Sequence, residues 1–529
     1  MSEALSGGEL AVRSLAAHGV ERVFGIPGTH NLELYAHLER QGIRHVSPRH
    51  EQGAGYAADG YARASGRPGV AITTAGPALM NVAAAAGQAQ SDSVPLLVLS
   101  PGMPRAHPTA SSGYLHEMPS QRRAMSGVVE RSVRVMSHAE LASELAAAFT
   151  AFRTQRPRAR YVEVPLDLLA ERAEAAVPEP QHAGPPAPAP AALVAALELL
   201  RGAKRPGIVA GGGAVGAASA LRELAEHLGA PVITTANGKG VLPEDHVLAL
   251  GARLNFPAAR AWLEGCDVVL AIGTELGESD LWGPPLRLSG NLIRVDIDPL
   301  QAHANHPATV VVIGDAAPAI EGLVDALEPS TPTGSPAAAE IRARLDTEYR
   351  AQAAPWLEWL AVLDDALDDD AIVVGDSAMC CYYGALGGLP VRRPRSFLYR
   401  TGFGTLGYAV PAAIGAKLGA PDRPVLALSG DGGLMFTVAE LASAAALGLP
   451  LPVVVFVNAG YGEIRNEMAD AGYAPVGVDL PPPDLPALAG ALGCAGAAVS
   501  EPAALPGAIA EAFARSRPTV ITVPEEPRA

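Results

Sequence analysis

Residues 425–458, VLALSGDGGLMFTVAELASAAALGLPLPVVVFVN, give the strongest indication of the fold class of this chain. Its two apolar ends are typical of buried strands, and a glycine-rich turn and an Ala- and Leu-rich helical stretch lie between them. We expect a strand, a turn, a helix of about 15 residues starting near Leu434, and a second strand, which together form one parallel βαβ unit. Asp431 and Asn458, 27 residues apart, then lie at the carboxyl ends of two strands, where open α/β sheets bind ligands.

The residue types at this turn indicate a binding site for a phosphate and a metal ion. Gly430, Gly432 and Gly433 allow the backbone to approach a phosphate closely, and the following helix directs its first N–H groups to the same place. The Asp431 carboxylate and the Asn458 amide offer hard oxygen ligands suited to Mg²⁺. Either residue alone is more simply explained as a helix cap or a turn residue, whereas the whole βαβ unit predicts a metal–diphosphate site.

Two Pro- and Ala-rich stretches, 173–192 and 329–339, are interpreted as linkers. They predict domains at 1–172, 193–328 and 340–529. Each block alternates short β-branched runs with helical stretches, which indicates three doubly wound α/β domains with parallel sheets. Strands are expected at 69–74, 94–100, 207–210, 231–235, 268–272, 291–296, 371–374, 425–429 and 453–457, and helices at 52–64 and 80–90.

The composition limits the functions that this chain can have. Its 529 residues are 49% hydrophobic and 18% charged, so they can bury large cores. The 39 basic and 55 acidic residues give a net charge of −16 without a basic stripe, which argues against a nucleic-acid partner. No apolar run reaches the ~20 residues of a membrane helix, residues 1–10 do not resemble a signal peptide, and the four cysteines suggest no disulfide framework. We expect a cytoplasmic enzyme with no membrane partner.

Motifs in the first and third blocks together resemble one enzyme superfamily. GDG followed by Asn458 is similar to the thiamine-diphosphate-binding motif, and PRHEQGAGYAADGYARASG at 48–66 with GPALMN at 76–81 is similar to its pyrimidine-binding complement. Nearly the whole chain resembles the acetolactate synthase/2-oxo acid decarboxylase superfamily. GIPGTHNLELY at 25–35, YLHEMPSQ at 114–121 and GYGEIR at 460–465 are most similar to its 5-guanidino-2-oxopentanoate (2-ketoarginine) decarboxylase type. The family's paired Asn is Val457–Asn458 here, and its GPG turn ends in Ala78.

The resemblance implies pyrimidine-binding, central and diphosphate-binding domains, with thiamine diphosphate and Mg²⁺ as cofactors. It implies that Glu51 hydrogen-bonds the aminopyrimidine ring and promotes loss of the C2 proton, that Leu406 bends the cofactor, and that the Gly404 carbonyl holds its 4′-amino group. It also implies that the Asp431 and Asn458 side chains and the Gly460 backbone carbonyl bind the metal ion. The remaining cofactor contacts that it implies are Pro27, Gly76, Asn81, Asp376, Ser377, Gly430, Gly432, Gly433, Tyr461 and Gly462.

Residues whose motif positions face the reacting carbon form the expected substrate pocket. They are Thr29, Thr74, Glu117 and Glu463 as substrate contacts, and His30, His116 and Gln121 as catalytic residues. The two histidines are candidates for proton transfer, although a lone histidine is more often structural. The position of Glu463 is apolar in acetolactate synthases, so its carboxylate suggests a cationic substrate tail such as a guanidinium. The alternative is a surface glutamate on a first helical turn, paired with Arg465.

The central block contains GGGAVG at 211–216, which fits a dinucleotide-binding pattern after a strand. That interpretation needs an acidic residue at the end of the next strand, and the strand at 231–235 ends in Thr and Ala instead. NAD is therefore not expected. The Met-His-Gly run with which the family holds a flavin is absent, so FAD is not expected either, and the block is interpreted as a structural spacer.

The sequence thus predicts a thiamine-diphosphate- and Mg²⁺-dependent lyase that decarboxylates a 2-oxo acid and releases an aldehyde. A carboligase similar to acetolactate synthase is the first alternative, and product identity separates the two. An inactive cofactor-binding partner subunit is the second, and Glu51, Asp431 and Asn458 argue against it. The resemblance also implies a homodimer or homotetramer with its active sites at subunit interfaces, where Glu51 of one chain completes the metal site of another.

Overall fold

The computed structural model describes residues 3–108, 111–180, 183–328 and 336–525. Most of the expected linker at 329–339, and residues 181 and 182 of the linker at 173–192, lie outside the described residues. The described ends of both linkers are more regular than expected, because a strand ends at Ala175 and helices begin at Pro190 and Pro336. Proline is well tolerated in a first helical turn, so these prolines start helices rather than prevent them. The domain boundaries stay predictions.

The first part of the chain forms a six-stranded parallel sheet with a two-stranded ribbon beside it. Its strands are β1 (Glu3–Ser6), β2 (Arg22–Gly25), β3 (Arg44–Val46), β4 (Gly69–Ile72), β5 (Leu96–Gly102), β6 (Arg131–Arg134), β7 (Arg160–Pro165) and β8 (Arg172–Ala175). The sheet order is β3-β2-β4-β5-β7-β6, and β1 pairs antiparallel with β8. The helices are α1 (Gly7–Ala17), α2 (Leu32–Leu38), α3 (Glu51–Ser65), α4 (Pro77–Ser91), α5 (Gln121–Met125), α6 (His138–Thr154) and α7 (Leu166–Ala170).

The central part forms a second parallel sheet. Its strands are β9 (Pro206–Ala210), β10 (Val232–Thr234), β11 (Ala249–Gly251), β12 (Val268–Ile272), β13 (Asn291–Asp296) and β14 (Val310–Ile313), in the order β11-β10-β9-β12-β13-β14. The helices are α8 (Pro190–Gly202), α9 (Ala218–Leu228), α10 (Pro257–Gly265), α11 (Glu278–Leu281) and α12 (Ala316–Val324). The GGGAVG segment forms most of a 3₁₀-helix at Gly212–Ala217.

The strands of the third part are β15 (Ile372–Gly375), β16 (Phe397–Tyr399), β17 (Val425–Gly430), β18 (Pro452–Val457), β19 (Ala495–Ala498) and β20 (Thr519–Pro524). They form a parallel sheet in the order β16-β15-β17-β18-β20-β19. The helices of this part are α13 (Pro336–Gln352), α14 (Leu357–Asp365), α15 (Leu386–Gly388), α16 (Ala409–Gly419), α17 (Asp431–Phe436), α18 (Glu440–Ala446), α19 (Gly462–Asp470), α20 (Leu485–Ala491) and α21 (Leu505–Phe513). The fold class, three parallel α/β sheets, is confirmed.

The expectation of one crossover helix of about 15 residues after Asp431 is wrong, because α17 and α18 are separate helices. Contacts with residues distant in sequence stabilise the break between α17 and α18. The Thr437 hydroxyl donates to the Gly407 carbonyl at 2.8 Å, and the buried Glu440 carboxylate accepts the backbone N–H groups of Arg49 and His50, each at 3.0 Å. Residues 49 and 50 directly precede Glu51, so this break joins the third part of the chain to the start of α3.

The first and third parts of the chain pack closely through α3 and α16. A Cβ atom at Gly60 would collide with the Ala412 carbonyl, and one at Gly415 would collide with the Ala57 carbonyl. Glycine at these positions therefore allows two helix backbones to approach each other more closely than larger residues permit. The contact fixes α3, and hence Glu51 at its first turn, against the third sheet.

Candidate active site

Glu51 starts α3 and is held by a neighbouring amide. His50 is the N-cap, and its ring accepts the Gln52 N–H at 3.2 Å. The Asn81 side-chain amide, from α4, donates to the Glu51 carboxylate at 2.9 Å. Burial, together with the negative charge of Glu51, raises the pKa of the nearby Tyr35 phenol. The structure therefore brings together Glu51 and Asn81, which the sequence places 30 residues apart.

Two histidines and a threonine form a second group in the same part of the chain. The rings of His30 and His116 lie edge to face with their centroids 5.0 Å apart. Burial, with a smaller contribution from His116, lowers the pKa of His30. Three buried atoms, Nδ1 of His30, Nδ1 of His116 and Oγ1 of Thr74, have no hydrogen-bond partner within the part of the chain that the structure describes. Polar atoms of this kind are able to receive a ligand.

Two predicted site residues have extensive protein contacts of their own. Gln121 accepts the Gly76 N–H at 2.6 Å and donates to the Pro101 carbonyl at 2.8 Å, so it supports the turn at Gly76, where φ is +64°. Glu117 accepts N–H groups from its own loop and contacts the His107 ring at 2.7 Å, and these contacts lower the pKa of Glu117 to about 2. Such contacts favour structural roles for both residues. The predicted contacts Pro27 and Thr29 lie exposed on the loop after β2.

The third sheet gathers the predicted metal and diphosphate residues at one edge. Asp376 and Ser377 follow β15, Asp431 follows β17 and Asn458 follows β18, and these three strands are neighbours in the sheet. Asp431 is 2% exposed, and its carboxylate accepts the Asn458 N–H at 3.5 Å. Burial raises the pKa of Asp431 against the opposing effect of backbone hydrogen bonds.

Glycine at position 432 allows the predicted ligand carbonyl to approach this edge. A Cβ atom at Gly432 would lie 2.9 Å from the Gly460 carbonyl oxygen and 3.0 Å from the Tyr461 ring. A Cβ atom at Gly462 would lie 2.8 Å from the Asn458 amide nitrogen. The small residues thus let the 458–462 segment fold tightly over the start of α17, which brings the metal ligands expected from the sequence onto one site.

The third sheet also buries carboxyl groups that lack a cation. Asp376, Asp431 and Glu525 are 1%, 2% and 7% exposed, and within the described residues none of them forms an ion pair with Lys, Arg or His. Asp376 instead accepts N–H groups, including that of Gly407 at 3.0 Å. Buried carboxylates are otherwise paired or bound to metals. The Asn458 Oδ1 atom is buried here with no hydrogen-bond partner in the described chain, so the donor set fits a divalent cation.

No three His, Cys, Asp or Glu side chains come together as a metal site among the described residues. The expected site does not need such a group, because it combines one carboxylate, one carboxamide and one backbone carbonyl with oxygens from phosphate. Sequence reasoning missed Glu525. In the sequence, Glu525 is marked only by its position directly after a strand, in VPE at 523–525. In the structure this position lies at the same carboxyl edge of the sheet as Asp431.

Gly404 and Leu406 lie on the loop between β16 and α16. Gly404 is exposed with φ +68°, and Leu406 is partly exposed and belongs to none of the buried apolar clusters of the described chain. Leu406 is therefore not part of the packed core of the described chain. Its role as the residue that bends the cofactor stays a prediction.

A cavity of about 370 Å³ opens beside this loop. Ser377, Gly404 and Glu463 line it, together with Asp280 and Arg400. The Tyr383 hydroxyl donates to Glu463, whereas Arg465 pairs with Asp479 at 2.7 Å. Glu463 therefore faces the cavity from the first turn of α19, which favours a ligand-binding interpretation over a surface pair.

Charged groups of both signs line this cavity. Burial raises the pKa of Asp280 to about 7. Arg400 is 5% exposed, its guanidinium lies 4.8 Å from the centre of the Tyr399 ring, and its Nε has no hydrogen-bond partner in the described chain. A buried guanidinium in this state is suited to an anionic ligand. Sequence reasoning missed both Asp280 and Arg400, because no motif contains them.

A second cavity, of about 410 Å³, lies at the carboxyl edge of the central sheet. Gly212 and Gly213 line it with Thr274 and Asp296, and it shares Asp280 with the first cavity. The expectation that neither NAD nor FAD binds stays a prediction. No helix in the described ranges is both long enough and apolar enough to cross a membrane.

Comparison with known proteins agrees with this geometry. Family models match three segments: thiamine pyrophosphate enzyme N-terminal TPP binding domain at 5–124, central domain at 193–323, and C-terminal TPP binding domain at 375–523. The chain is 46% identical over 501 residues to a probable 2-ketoarginine decarboxylase of Pseudomonas aeruginosa, covering 93% of this chain and 89% of that protein. It is 32% identical to the acetolactate synthase large subunit of Parasynechococcus marenigrum, with 98% of this chain and 88% of that protein aligned. It is also 32% identical to an acetolactate synthase of Mycobacterium avium, with 93% of this chain and 83% of that protein aligned.

Proposed function

Since the chain belongs to the thiamine pyrophosphate enzyme family, we propose that it uses thiamine diphosphate and Mg²⁺ to decarboxylate a 2-oxo acid with a cationic side chain, releasing CO₂ and an aldehyde. Two findings support a guanidino acid such as 5-guanidino-2-oxopentanoate. One is the 46% identity to the probable 2-ketoarginine decarboxylase. The other, which carries the proposal, is the cavity that places Glu463 and Arg400 around one volume of about 370 Å³.

The chain contains candidate binding residues for each part of the cofactor. Side-chain oxygens of Asp431 and Asn458 and the Gly460 carbonyl would hold Mg²⁺, and the N–H groups where β17 ends and α17 begins would hold the diphosphate. When bound, thiamine diphosphate supplies a carbon nucleophile and accepts the electrons that CO₂ leaves behind. Glu51, held by Asn81, would share a proton with the pyrimidine ring.

The charges in the cavity match the two ends of a guanidino 2-oxo acid. The Glu463 carboxylate, with Asp280 in the same cavity, suits a guanidinium through charge-assisted hydrogen bonds. Arg400 suits the carboxylate of the oxo acid. A neutral oxo acid would bring no positive charge to the Glu463 and Asp280 carboxyl groups, so the cavity favours a cationic side chain.

The active site needs a second copy of the chain in this proposal. The cavity lined by Gly404 and Glu463 contains no residue of the group around Glu51. Exposed apolar side chains lie close in sequence to predicted site residues in both parts: Leu32 and Leu115 near His30 and His116, and Phe403 and Phe436 near Gly404 and Asp431, all 49–57% exposed. A homodimer, or a homotetramer built from it, would bring the Glu51 group of one copy against the Asp431 group of the other.

Two other functions are weaker candidates. The acetolactate synthase relatives, at 32% identity, favour a carboligase that joins two oxo acids, but the charged cavity is unsuited to two molecules of pyruvate. An inactive partner subunit would not need Glu51, Asp431 and Asn458 together. We also propose a cytoplasmic location, because all four cysteines are buried, unpaired thiols.

The test is CO₂ release from 5-guanidino-2-oxopentanoate and from pyruvate, with the organic product identified. We expect faster release from the guanidino acid and an aldehyde product. Preference for pyruvate with a 2-hydroxy-3-oxo acid as product would establish the carboligase instead. A Glu51→Gln variant should lose at least about 100-fold in kcat, the contribution typical of a positioned proton-transfer group, and undiminished turnover would contradict the assignment of Glu51.

A further inference from the structure

Glu525 lies beside the predicted metal ligand Asn458, two residues beyond the segment that the C-terminal family model matches. It follows β20, is 7% exposed, and its backbone N–H donates to the Val457 carbonyl at 3.0 Å. The Trp356 indole N–H donates to Glu525 Oε1 at 2.6 Å, and the Asn458 amide donates to Glu525 Oε2 at 2.8 Å. Both carboxylate oxygens are therefore occupied by N–H donors from fixed positions.

This arrangement determines which way the Asn458 carboxamide faces. Because the Asn458 NH₂ group donates to Glu525 Oε2, the Oδ1 atom of the amide faces the other way. Turning the amide over would put two acceptors against each other inside the protein. In the described chain Oδ1 is buried and has no hydrogen-bond partner, which leaves its lone pairs available on the side of the amide that does not face Glu525.

We propose that Glu525 is a positioning residue for the divalent cation: it fixes the Asn458 amide so that Oδ1, and not NH₂, is presented as a metal ligand beside Asp431. Trp356 in turn fixes Glu525. The inference rests on the metal site of the proposed function and adds a residue that neither the motif nor the family match contains. Groups behind the ligands of metal sites often contribute to affinity in this way.

The test is the affinity for Mn²⁺, measured by electron paramagnetic resonance with the thiamine-diphosphate-loaded protein. In Glu525→Gln, the Trp356 N–H requires the new side-chain oxygen, so the new NH₂ group faces Asn458 and forces its amide to turn or swing away. We expect Mn²⁺ to bind about 10- to 100-fold more weakly. Glu501→Gln, an exposed glutamate of the same part of the chain, is the matched control and should bind Mn²⁺ as the wild type does.

A double variant separates amide orientation from a merely structural effect. In Asn458→Asp with Glu525→Gln, the new aspartate accepts from the new NH₂ group and keeps one oxygen for the metal. The double variant should bind Mn²⁺ more tightly than either single variant, which is a coupling that an additive structural loss does not produce. If Glu525→Gln does not fold, Trp356→Phe removes one anchor of Glu525, and it should weaken Mn²⁺ binding on the order of fivefold.

The outcomes distinguish this inference from the proposed function. Glu525→Gln protein with an unchanged melting temperature and Mn²⁺ affinity within about twofold of the wild type would overturn the inference alone, and so would a double variant no tighter than the single ones. Wild-type protein that binds no Mn²⁺ in the presence of the cofactor would overturn the metal site of the proposed function together with it.

Discussion

Two clusters of buried carboxyl groups in this molecule differ in one respect: one contains its own cation and the other does not. In the first, the Arg63 guanidinium contacts Asp59 at 2.6 Å and Asp92 at 2.8 Å. In the second, Asp431 lies with Asp376 and Glu525 at the edge of the third sheet without an ion pair in the described chain. The first cluster therefore contains a cation of its own, whereas the described part of the chain supplies none to the second.

The contacts of the first cluster show a structural role. Arg63 lies on α3 and also donates to Asn237 of the central part at 2.8 Å, and the Tyr408 hydroxyl of the third part donates to Asp59 at 2.6 Å. Asp92 accepts the Thr401 hydroxyl at 2.7 Å. The cluster therefore joins all three parts of the chain, and Arg63 supplies both carboxyl groups with a cation from within the protein.

The largest effect expected from this comparison is on the cluster without a cation. Asp431→Ala should reduce Mn²⁺ affinity and kcat by at least about 1,000-fold, because one charged ligand is lost from a buried site. The melting temperature without metal should stay the same or rise, since a buried carboxyl group that lacks a cation in the described chain is removed. Metal titration and differential scanning calorimetry on the same samples check both. A lower melting temperature in metal-free protein would show that Asp431 supports the fold instead.

Arg63→Met should have the opposite effect, a loss of folding stability. Removing the guanidinium leaves Asp59 and Asp92 buried without a cation, so the free energy of unfolding should fall by about 3–5 kcal/mol. Arg131→Met, whose guanidinium pairs with Glu144 on the surface, is the control and should cost less than about 1 kcal/mol. Urea denaturation measures both. Equal losses in the two variants would contradict the distinction between the clusters.

Glu463→Gln tests whether the charge of this side chain selects a cationic substrate. It keeps the shape of the side chain but removes the charge that faces the cavity, so KM for the guanidino oxo acid should rise about 10-fold, and KM for a neutral oxo acid of equal length should stay constant or fall. Steady-state kinetics with both acids gives the ratio. An unchanged ratio would show that the charge of Glu463 does not select the substrate.

The smallest expected effect is a pH dependence of KM. The pKa of Asp280 is raised to about 7 by burial, so the carboxyl is neutral below that pH and ionised above it. An ionised carboxylate attracts a cationic tail, so KM for the guanidino acid should fall by up to about 10-fold as pH rises from about 6 to about 8. Asp280→Asn should remove this dependence, and a profile that keeps it would assign the titration to another group.

Much of the fold follows from local sequence patterns. The strands expected at 268–272 and 291–296 are β12 and β13 residue for residue, because strands of a parallel sheet buried on both faces are continuous apolar runs. The break between α17 and α18 was not predictable in the same way. It depends on the contact of Thr437 with Gly407 and of Glu440 with Arg49 and His50, and no local pattern records partners so distant along the chain.

Local sequence patterns were enough to predict three parallel α/β sheets, the family and the placement of Asp431 and Asn458 at one sheet edge, because the strands and the spacing of a βαβ unit are local properties. Tertiary structure decided which carboxyl groups have a cation, which way the Asn458 amide faces, and that Arg400 and Asp280 share a cavity with Glu463. Each of these depends on side chains that meet from separate strands or separate domains, and burial then sets their electrostatics through an environment that no single segment contains.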